Sequence, residues 1–289
     1  MLIEGWGALD RPGHDELSAY GNQPPREPGE KKGFRLTPEQ WISVASVACV
    51  FAVWCVITRF DLVSHVFVPS PAETWSAFME VLRDGYKGSS LLSHIGASMQ
   101  RLLAAFFAAL LTAVPLGLLS GQSSKVRAAV DPLIEFYRPL PPLAYYTLLV
   151  LWFGIGDESK IILLFLAAFA PLYISAVSGA KAITEDHLTG ARSLGASRLQ
   201  VFLHVVFPSS LPFIFTGMRT ALGVSFTTLV AAELVAAVSG IGWMVLDASK
   251  FLRSDVIFVG IAIMGVIAVL LDLIIRFMQA RWAHWEGKG

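Results

Sequence analysis

Four stretches of this chain, residues 41–58, 102–124, 139–156 and 161–180, contain no Asp, Glu, Lys or Arg. A helix that crosses a bilayer needs about 20 consecutive, mostly apolar residues, because hydrocarbon cannot satisfy exposed backbone groups. Two further runs fit that description. Residues 209–237 are interrupted only by Arg219 and Glu233, and residues 256–275 close on Asp272 and Arg276, which lie one helical turn apart and can pair. The spacing predicts an all-α polytopic membrane protein with six transmembrane helices. Its least regular member is 139–156, where Pro139, Pro141 and Pro142 crowd the entrance. Charged residues make up 15% of the chain, well below the ~25% of soluble domains, so the apolar runs belong to a bilayer rather than to one large core. A net charge of zero argues against a nucleic-acid partner. Cys49 and Cys55, the two cysteines, both fall in the first run and form neither a disulfide framework nor a metal-type spacing.

Residues 1–39 mix Pro, Gly and both charge signs without apolar periodicity and read as a mobile cytoplasmic tail, with no apolar core of the kind a secretory signal carries. The membrane domain is expected over 40–280, and a short cytoplasmic tail over 281–289. An even number of spans puts both termini on one side. If that side is the cytoplasm, the inner segments hold most of the basic residues, among them Lys31, Lys32, Lys125, Arg127, Lys181 and Arg192, which is the sign the positive-inside rule requires. On the outer side, Ser70, Pro71 and Glu73 make a helix start with a capping box. Trp75, Phe78, Met79 and Leu82 then form an apolar stripe that suits either the membrane surface or the outer ends of other spans. Residues 239–255 are too short and too charged for a seventh span and read as an outer loop or partial re-entrant segment. Gly117 and Gly121 form a small-xxx-small pair that favours close helix packing.

The insert over 181–208 does not belong with the greasy runs on either side of it. Leu188, Ala191, Leu194, Leu199, Phe202, Val205 and Val206 recur at helical spacing, while Glu185, Asp186, Arg192, Arg198, Gln200 and His204 take the other faces. Gly195 can end a first helix in left-handed geometry, Ser197 can start a second, and Pro208 and Pro212 favour a bend before the next span. This is a helix–turn–helix finger projecting from the cytoplasmic side, far longer than a connection between neighbouring spans requires. It is either a docking surface for a soluble partner or an amphipathic hairpin lying in the headgroups.

The insert resembles the Glu-Ala-Ala loop in permease subunits of bacterial binding-protein-dependent ABC importers. Ala191, Gly195 and Pro208 stand at the family's offsets, Val205 and Phe207 replace its Ile and Leu, Gly190 replaces its second residue, and Thr189 stands where the family has Glu. The stretches SMQRLLAAFFAALLTAVPLGLLSG, YRPLPPLAYYTLLVLWFGIG and LVAAELVAAVSGIGWMV extend the likeness over nearly all of 41–289. Within the family, IEFYRPLPPLAYYTLLVLWFGIGDESKI, TLVAAELVAA and the Trp-bearing tail ARWAHWEGKG are most similar to the taurine members, and the broader nitrate, sulfonate and taurine group shares much of this. The resemblance implies a multi-pass subunit of a bacterial inner membrane that works as a homodimer, with two ATP-binding subunits and an extracytoplasmic substrate-binding protein. It also implies that Thr189, Gly190, Ala191, Leu194, Gly195, Ala196, Ser197 and Pro208 couple the chain to the ATPase. No G-x-x-x-x-G-K-[ST] loop is present, so the chain is expected to be a non-catalytic subunit that binds no cofactor itself, with ATP and Mg used by its partner.

Charges inside spans cost roughly 2.5–3.5 kcal/mol and usually face protein or water, which makes Glu233, Arg138 and Arg219 candidates for the substrate path. For taurine, Arg138 beside the broken backbone at Pro141 could meet the sulfonate, and Tyr137, Tyr145 or Glu233 the ammonium. The bland alternatives are that Arg138 anchors at the interface and that Glu233 ties an outer loop to a neighbouring helix; Arg101 reads as structural. Alkanesulfonate, nitrate and small nitrogenous precursors remain open as substrates. A stand-alone secondary transporter would be expected to show repeated halves, and an intramembrane hydrolase a Ser/His, His-Glu-x-x-His or paired-Asp arrangement; neither pattern stands out.

Overall fold

The structure, a computed structural model, describes residues 38–283, and among them regular structure is helical throughout except for one bridge between Tyr86 and Ser89. The mobile-tail reading of 1–39 falls almost entirely outside these residues. The chain divides into two compact units at residues 52 and 53. The first unit holds most of α1 (Pro38–Arg59), an apolar helix in which Ser46 bonds back to the Ile42 carbonyl at 3.0 Å. The second contains the end of α1, where the Trp54 indole donates to the Pro69 carbonyl at 3.0 Å and stacks on Phe258, and all later elements.

These are α2 (Pro71–Asp84), α3 (Leu91–Gln122), α4 (Ser124–Tyr137), α5 (Pro142–Phe153), α6 (Asp157–Lys181), α7 (Glu185–Ser193), α8 (Arg198–Val201), a π turn (Phe202–Val206), α9 (Phe207–Ala236), α10 (Ile241–Lys250) and α11 (Ser254–Trp282). Among the described residues, five helical stretches are long and apolar enough to cross a membrane: α1, α3, α6, the continuous run from α8 through α9, and α11. The sixth expected span forms a helix of 12 residues only, roughly 18 Å at 1.5 Å per residue. Its prolines delay the start to Pro142, and Gly154, at φ +82°, ends it.

The packing shows how the short helix still completes a return. Arg101, near the start of α3, donates to Asp157 at the start of α6 at 2.7 Å. At the other end Gly117 lies against Tyr173 and Ala176, and a Cβ on Gly121 would strike the Ala180 side chain. Helices α3 and α6 therefore run side by side in the same direction. The chain leaves α3 at one end and must begin α6 at the other, roughly 30 Å back along the axis. Residues 124–153 make that return in two pieces. Asp131 of α4 lies beside Tyr173, and Tyr146 of α5 packs on Leu163 nearer the opposite end. Within the second unit α3, the broken return, α6, α9 and α11 make five passages, one of them broken. Antiparallel to α6, α9 packs through Gly179 against Ser210 and Gly217 against Ser175. Helix α11 runs back along α9, with Arg219 bonded to Asp272 at 2.8 Å and Asp272 to Arg276 at 2.6 Å, the pairing the one-turn spacing predicts. It continues to Trp282.

The cap built on α2 starts as the sequence predicts. The Ser70 hydroxyl accepts from the Glu73 N–H at 3.2 Å, and the Ser70 N–H donates to the Glu73 carboxylate at 2.7 Å. The face that packs is rotated from the expected stripe: Ala77 and Val81 are buried with Val256 and Val259 of α11, while Trp75 and Leu82 stay exposed. Small side chains at 77 and 81 let the helix axes approach; of the expected stripe Phe78 packs beside them, while Trp75 and Leu82 fall to the outside. Residues 241–250 form a helix within this cap, held by Ile241, Met244 and Ala248.

His65, in the loop between α1 and α2, bonds Glu73 at 2.9 Å and Asp61 at 2.8 Å. These carboxylates raise its pKa above 6.5, and Glu73 is held down at about 2 chiefly by His65. The raised histidine contributes stability that is complete below pH 6.5 and is lost as pH rises through its folded value; the lowered glutamate contributes above 4.5 and is lost as pH falls through about 2. We predict an NMR titration midpoint for His65 above 6.5 that moves down toward 6.5 in Glu73→Gln. An unchanged midpoint in that variant would contradict the assignment.

Candidate functional site

Two features sit toward the end of the bundle where α3 and α6 finish: a hairpin and a cavity. The hairpin begins four residues after α6. Helix α7 carries Glu185 and Asp186 in its first turn and Arg192 in its last, as the helix dipole favours. Gly195 takes φ +81°, a left-handed turn that other residues adopt at a cost, and a Cβ there would meet nothing within 4 Å. Ser197 then caps α8: its hydroxyl accepts from the Gln200 N–H, and its own N–H donates to the Gln200 side chain at 2.8 Å.

Two expectations are corrected here. The hairpin does not stand away from the bundle as a projecting finger: Leu188, Ala191, Ala196, Phe202 and Val205 pack on the main core, and Val201 and Val206 are buried. Pro208 does not separate it from the next span either. The helical path runs from Arg198 to Ala236 because the π turn shifts the bonding so that Phe207 donates to Phe202, which accommodates the N–H that Pro208 lacks. The single apolar stripe of the sequence reading divides in two. Leu188 and Phe202 face the bundle, whereas Leu194 and Leu199 are 90% and 66% exposed. Thr189, Gly190 and Gly195 share that outer surface, so the hairpin presents bare apolar tips around a tight turn.

A cavity of about 370 Å³ lies between the two helices that bracket the hairpin. Tyr137, Arg138 and Tyr145 line it from the α4–α5 break; Ala167, Ala170 and Pro171 line it from α6, and Thr220 and Val224 from α9. The sequence of prolines creates the opening, since neither helix can continue through 139–142. Pro171 has no N–H to give the Ala167 carbonyl one turn earlier, and both belong to the wall. The Tyr137 hydroxyl is buried with no hydrogen-bond partner among the described residues. Tyr137, Arg138 and Tyr145 are thus brought together, while Pro141 stands in the break and Pro142 reaches the wall.

Arg219 and Glu233 lie elsewhere. Arg219 belongs to the Asp272–Arg276 network between α9 and α11. Glu233 is 1% exposed at the opposite end, where it accepts from Ser98 at 2.7 Å, Arg101 at 2.8 Å and the Gly242 N–H at 2.9 Å. Arg101, 3% exposed, also binds Asp157 and both the carbonyl and the hydroxyl of Ser239. Glu233 thereby ties the start of α10 to α3, which is the bland reading of that residue, and Arg101 is structural. Sequence reasoning missed Ser98, Asp157 and Ser239 as its partners; the one signal was Ser98 one turn before Arg101 on the same helix face. It also missed Lys160, whose buried ammonium bonds the Ile155 and Gly156 carbonyls at 2.8 Å.

Comparison with known proteins gives consistent matches. Residues 113–284 match the family described as binding-protein-dependent transport system inner membrane component. The chain is 43% identical to the taurine transport system permease protein TauC of Escherichia coli, over 88% of this chain and 92% of that one. It is 32% identical to the putative aliphatic sulfonates transport permease protein SsuC of Bacillus subtilis, over 83% and 85%. It is 28% identical to the nitrate import permease protein NrtB of Synechocystis, over 89% and 94%.

The Glu233 cluster predicts a stability effect. Removing one partner of a buried ion pair costs about 3 kcal/mol, so Glu233→Ala should lower the melting temperature of the detergent-solubilised protein by roughly 6–12 °C. Gly240→Ala should also destabilise, because its backbone has φ +120° and a Cβ would strike the Glu233 carboxylate. The double variant should fall short of additivity, since Ala at 233 removes the clash. Additive losses would contradict this contact.

Proposed function

The chain belongs to the family of binding-protein-dependent transport system inner membrane components, and from that premise we propose that it is the membrane-spanning permease subunit of an ATP-driven importer that carries taurine, or a related small sulfonate, into the cytoplasm. The chain itself performs no ATP chemistry. ATP and Mg act on a separate pair of ATP-binding subunits, a second copy of this chain completes the membrane part, and a substrate-binding protein delivers cargo from outside. The hairpin faces the cytoplasm, with both termini.

One observation carries the reading: the hairpin is bracketed by the two helices that form the cavity wall. Helix α6 supplies Ala170 and Pro171 to the cavity and leads into α7; α8 leads without a break into α9, which supplies Thr220 and Val224. A force on Leu194 and Leu199 reaches the cavity through unbroken helix from Arg198 into α9 and, on the other side, through α7 and the short link 182–184 into α6. In this mechanism the exposed leucines and the Gly195 turn seat on the ATP-binding subunit. Thr189, Gly190, Ala191, Ala196, Ser197 and Pro208 shape the seat and its link to α9. Closure of the ATP-binding subunits then moves the hairpin, α6 and α9 together and switches the side on which the cavity opens.

Inside the cavity, the Arg138 guanidinium and the unpartnered Tyr137 hydroxyl offer donors to a sulfonate. Tyr145 offers an aromatic surface. Sulfonate chemistry is the reading that the TauC and SsuC matches also support; nitrate would use the same donors and is the second candidate, supported by the match to NrtB.

The test is uptake of radiolabelled taurine into proteoliposomes holding the whole transporter. Burial of an exposed leucine contributes roughly 1.5–3 kcal/mol, so Leu194→Asp should weaken association with the ATP-binding subunits by about 10- to 100-fold and reduce uptake in proportion. Leu194→Met should restore it. Wild-type uptake in Leu194→Asp would refute the coupling role, and failure of the unmodified transporter to import taurine would refute the substrate.

A further inference from the structure

A second cavity, of about 220 Å³, lies on the inner side of the first, and Arg138 lines both. Its other polar residues are Asp131 and Glu135 of α4 and Tyr173, Ser178 and Lys181 of α6. Three of these are already engaged: the Tyr173 hydroxyl donates to Asp131 at 2.7 Å, and Ser178 bonds back to the Ile174 carbonyl at 2.9 Å. Glu135, Arg138 and Lys181 are exposed and form no ion pair among the described residues, although Glu135 and Arg138 are one helical turn apart. The larger cavity offers a solute one cation and phenol groups, and its charged lining residue is Arg138 alone. Across the shared guanidinium, the smaller one adds an unpaired carboxylate.

We propose that Glu135 is the ammonium-binding and specificity-determining residue of this inner cavity, where a small zwitterion rests with its sulfonate on Arg138 and its ammonium on Glu135. The inference rests on the sulfonate reading given above and adds a discriminator to it. An anion without an amine meets the Glu135 carboxylate as a like charge, whereas a two-carbon aminosulfonate meets opposite charges at both ends. Lys181, at the inner end of α6, supplies a second cation toward which the sulfonate moves as it leaves. Discrimination therefore falls on Glu135, and Asp131 contributes less because Tyr173 occupies it.

The experiment uses the assembled permease and ATP-binding subunits without nucleotide, with Cys49 and Cys55 replaced by Ser and Ser178→Cys as a reporter in the inner cavity. Taurine and ethanesulfonate, equal in carbon number and differing in the amine, compete with maleimide labelling of that cysteine. Taurine should half-protect at a concentration roughly tenfold below ethanesulfonate, the size of one charge-assisted contact. Glu135→Gln should raise the taurine value to that of ethanesulfonate and leave ethanesulfonate unchanged or improved, and Glu135→Asp should retain most of the preference. Equal protection by the two solutes, no protection by either, or a preference that survives Glu135→Gln would overturn the proposal. Taurine uptake by the unmodified transporter is measured in parallel. Uptake without Glu135-dependent protection sinks this inference alone, and absence of uptake sinks the substrate reading.

Discussion

The parallel packing of α3 and α6 sets the rest of this structure. Two long helices lie side by side pointing the same way, drawn together where Gly117 and Gly121 leave room for Ala176 and Ala180, and pinned at the far end by Arg101 and Asp157. Parallel neighbours oblige the connecting chain to retrace the depth of the bundle. Here that return is made by 124–153, a segment whose prolines forbid a single straight helix. A broken return beside an unbroken pair leaves space at the break, and the space is the cavity. Charge is sorted along the same axis. The Arg101–Glu233 cluster closes one end with every charge engaged, whereas unpaired Glu135, Arg138 and Lys181 gather toward the other.

The mechanical consequence lies in how α6 and α9 meet. Gly179 and Gly217 place the two backbones so close that a Cβ at either would press on Ser210 or Ser175. Interfaces of this kind slide little, because interdigitated side chains must lift before they pass. The hairpin joins the adjacent ends of these two helices and packs on them through Leu188, Phe202 and Val205. The π turn belongs to that connection. A proline at 208 would ordinarily kink the helix, and the wider turn spreads the defect over Phe202–Val206 while Val206 stays buried. Unbroken helix from Arg198 to Val224 follows from that accommodation.

Local chemistry was legible in the sequence wherever one short-range rule acted alone. The Ser70–Glu73 capping box, the left-handed Gly195, the Ser197 cap and the Asp272–Arg276 pair all formed as their spacings indicate. Three of the four charge-free runs gave span-length helices for the same reason, since the cost of burying charge in hydrocarbon overrides local preference, while the prolines of 139–156 shortened the fourth. Features that depend on which elements become neighbours were not legible. Glu233 reads in isolation as an intramembrane charge awaiting a solute; its saturation comes from Ser98, Arg101 and Gly242, distant in sequence or beyond a loop. The division of the hairpin's stripe into a bundle-facing part and an exposed part is likewise invisible to periodicity, which reports that residues share a face but not what covers it. The stripe of α2 misled in a similar way, because Trp75 and Leu82 carry the larger apolar signal while Ala77 and Val81 permit the closer approach.

The account's central claim is that hairpin and cavity wall move as one piece when ATP binds the partner subunits. Pulsed electron–electron resonance on the assembled transporter measures this directly, with spin labels at Leu194→Cys and Thr220→Cys in one copy. A second sample carries a label at Thr220→Cys in each of two copies. The account predicts a narrow 194–220 distance that is the same with and without ATP, together with a 220–220 distance between copies that shifts on ATP binding. A 194–220 distance that changes while the 220–220 distance stays fixed would place a hinge at the π turn and contradict the claim.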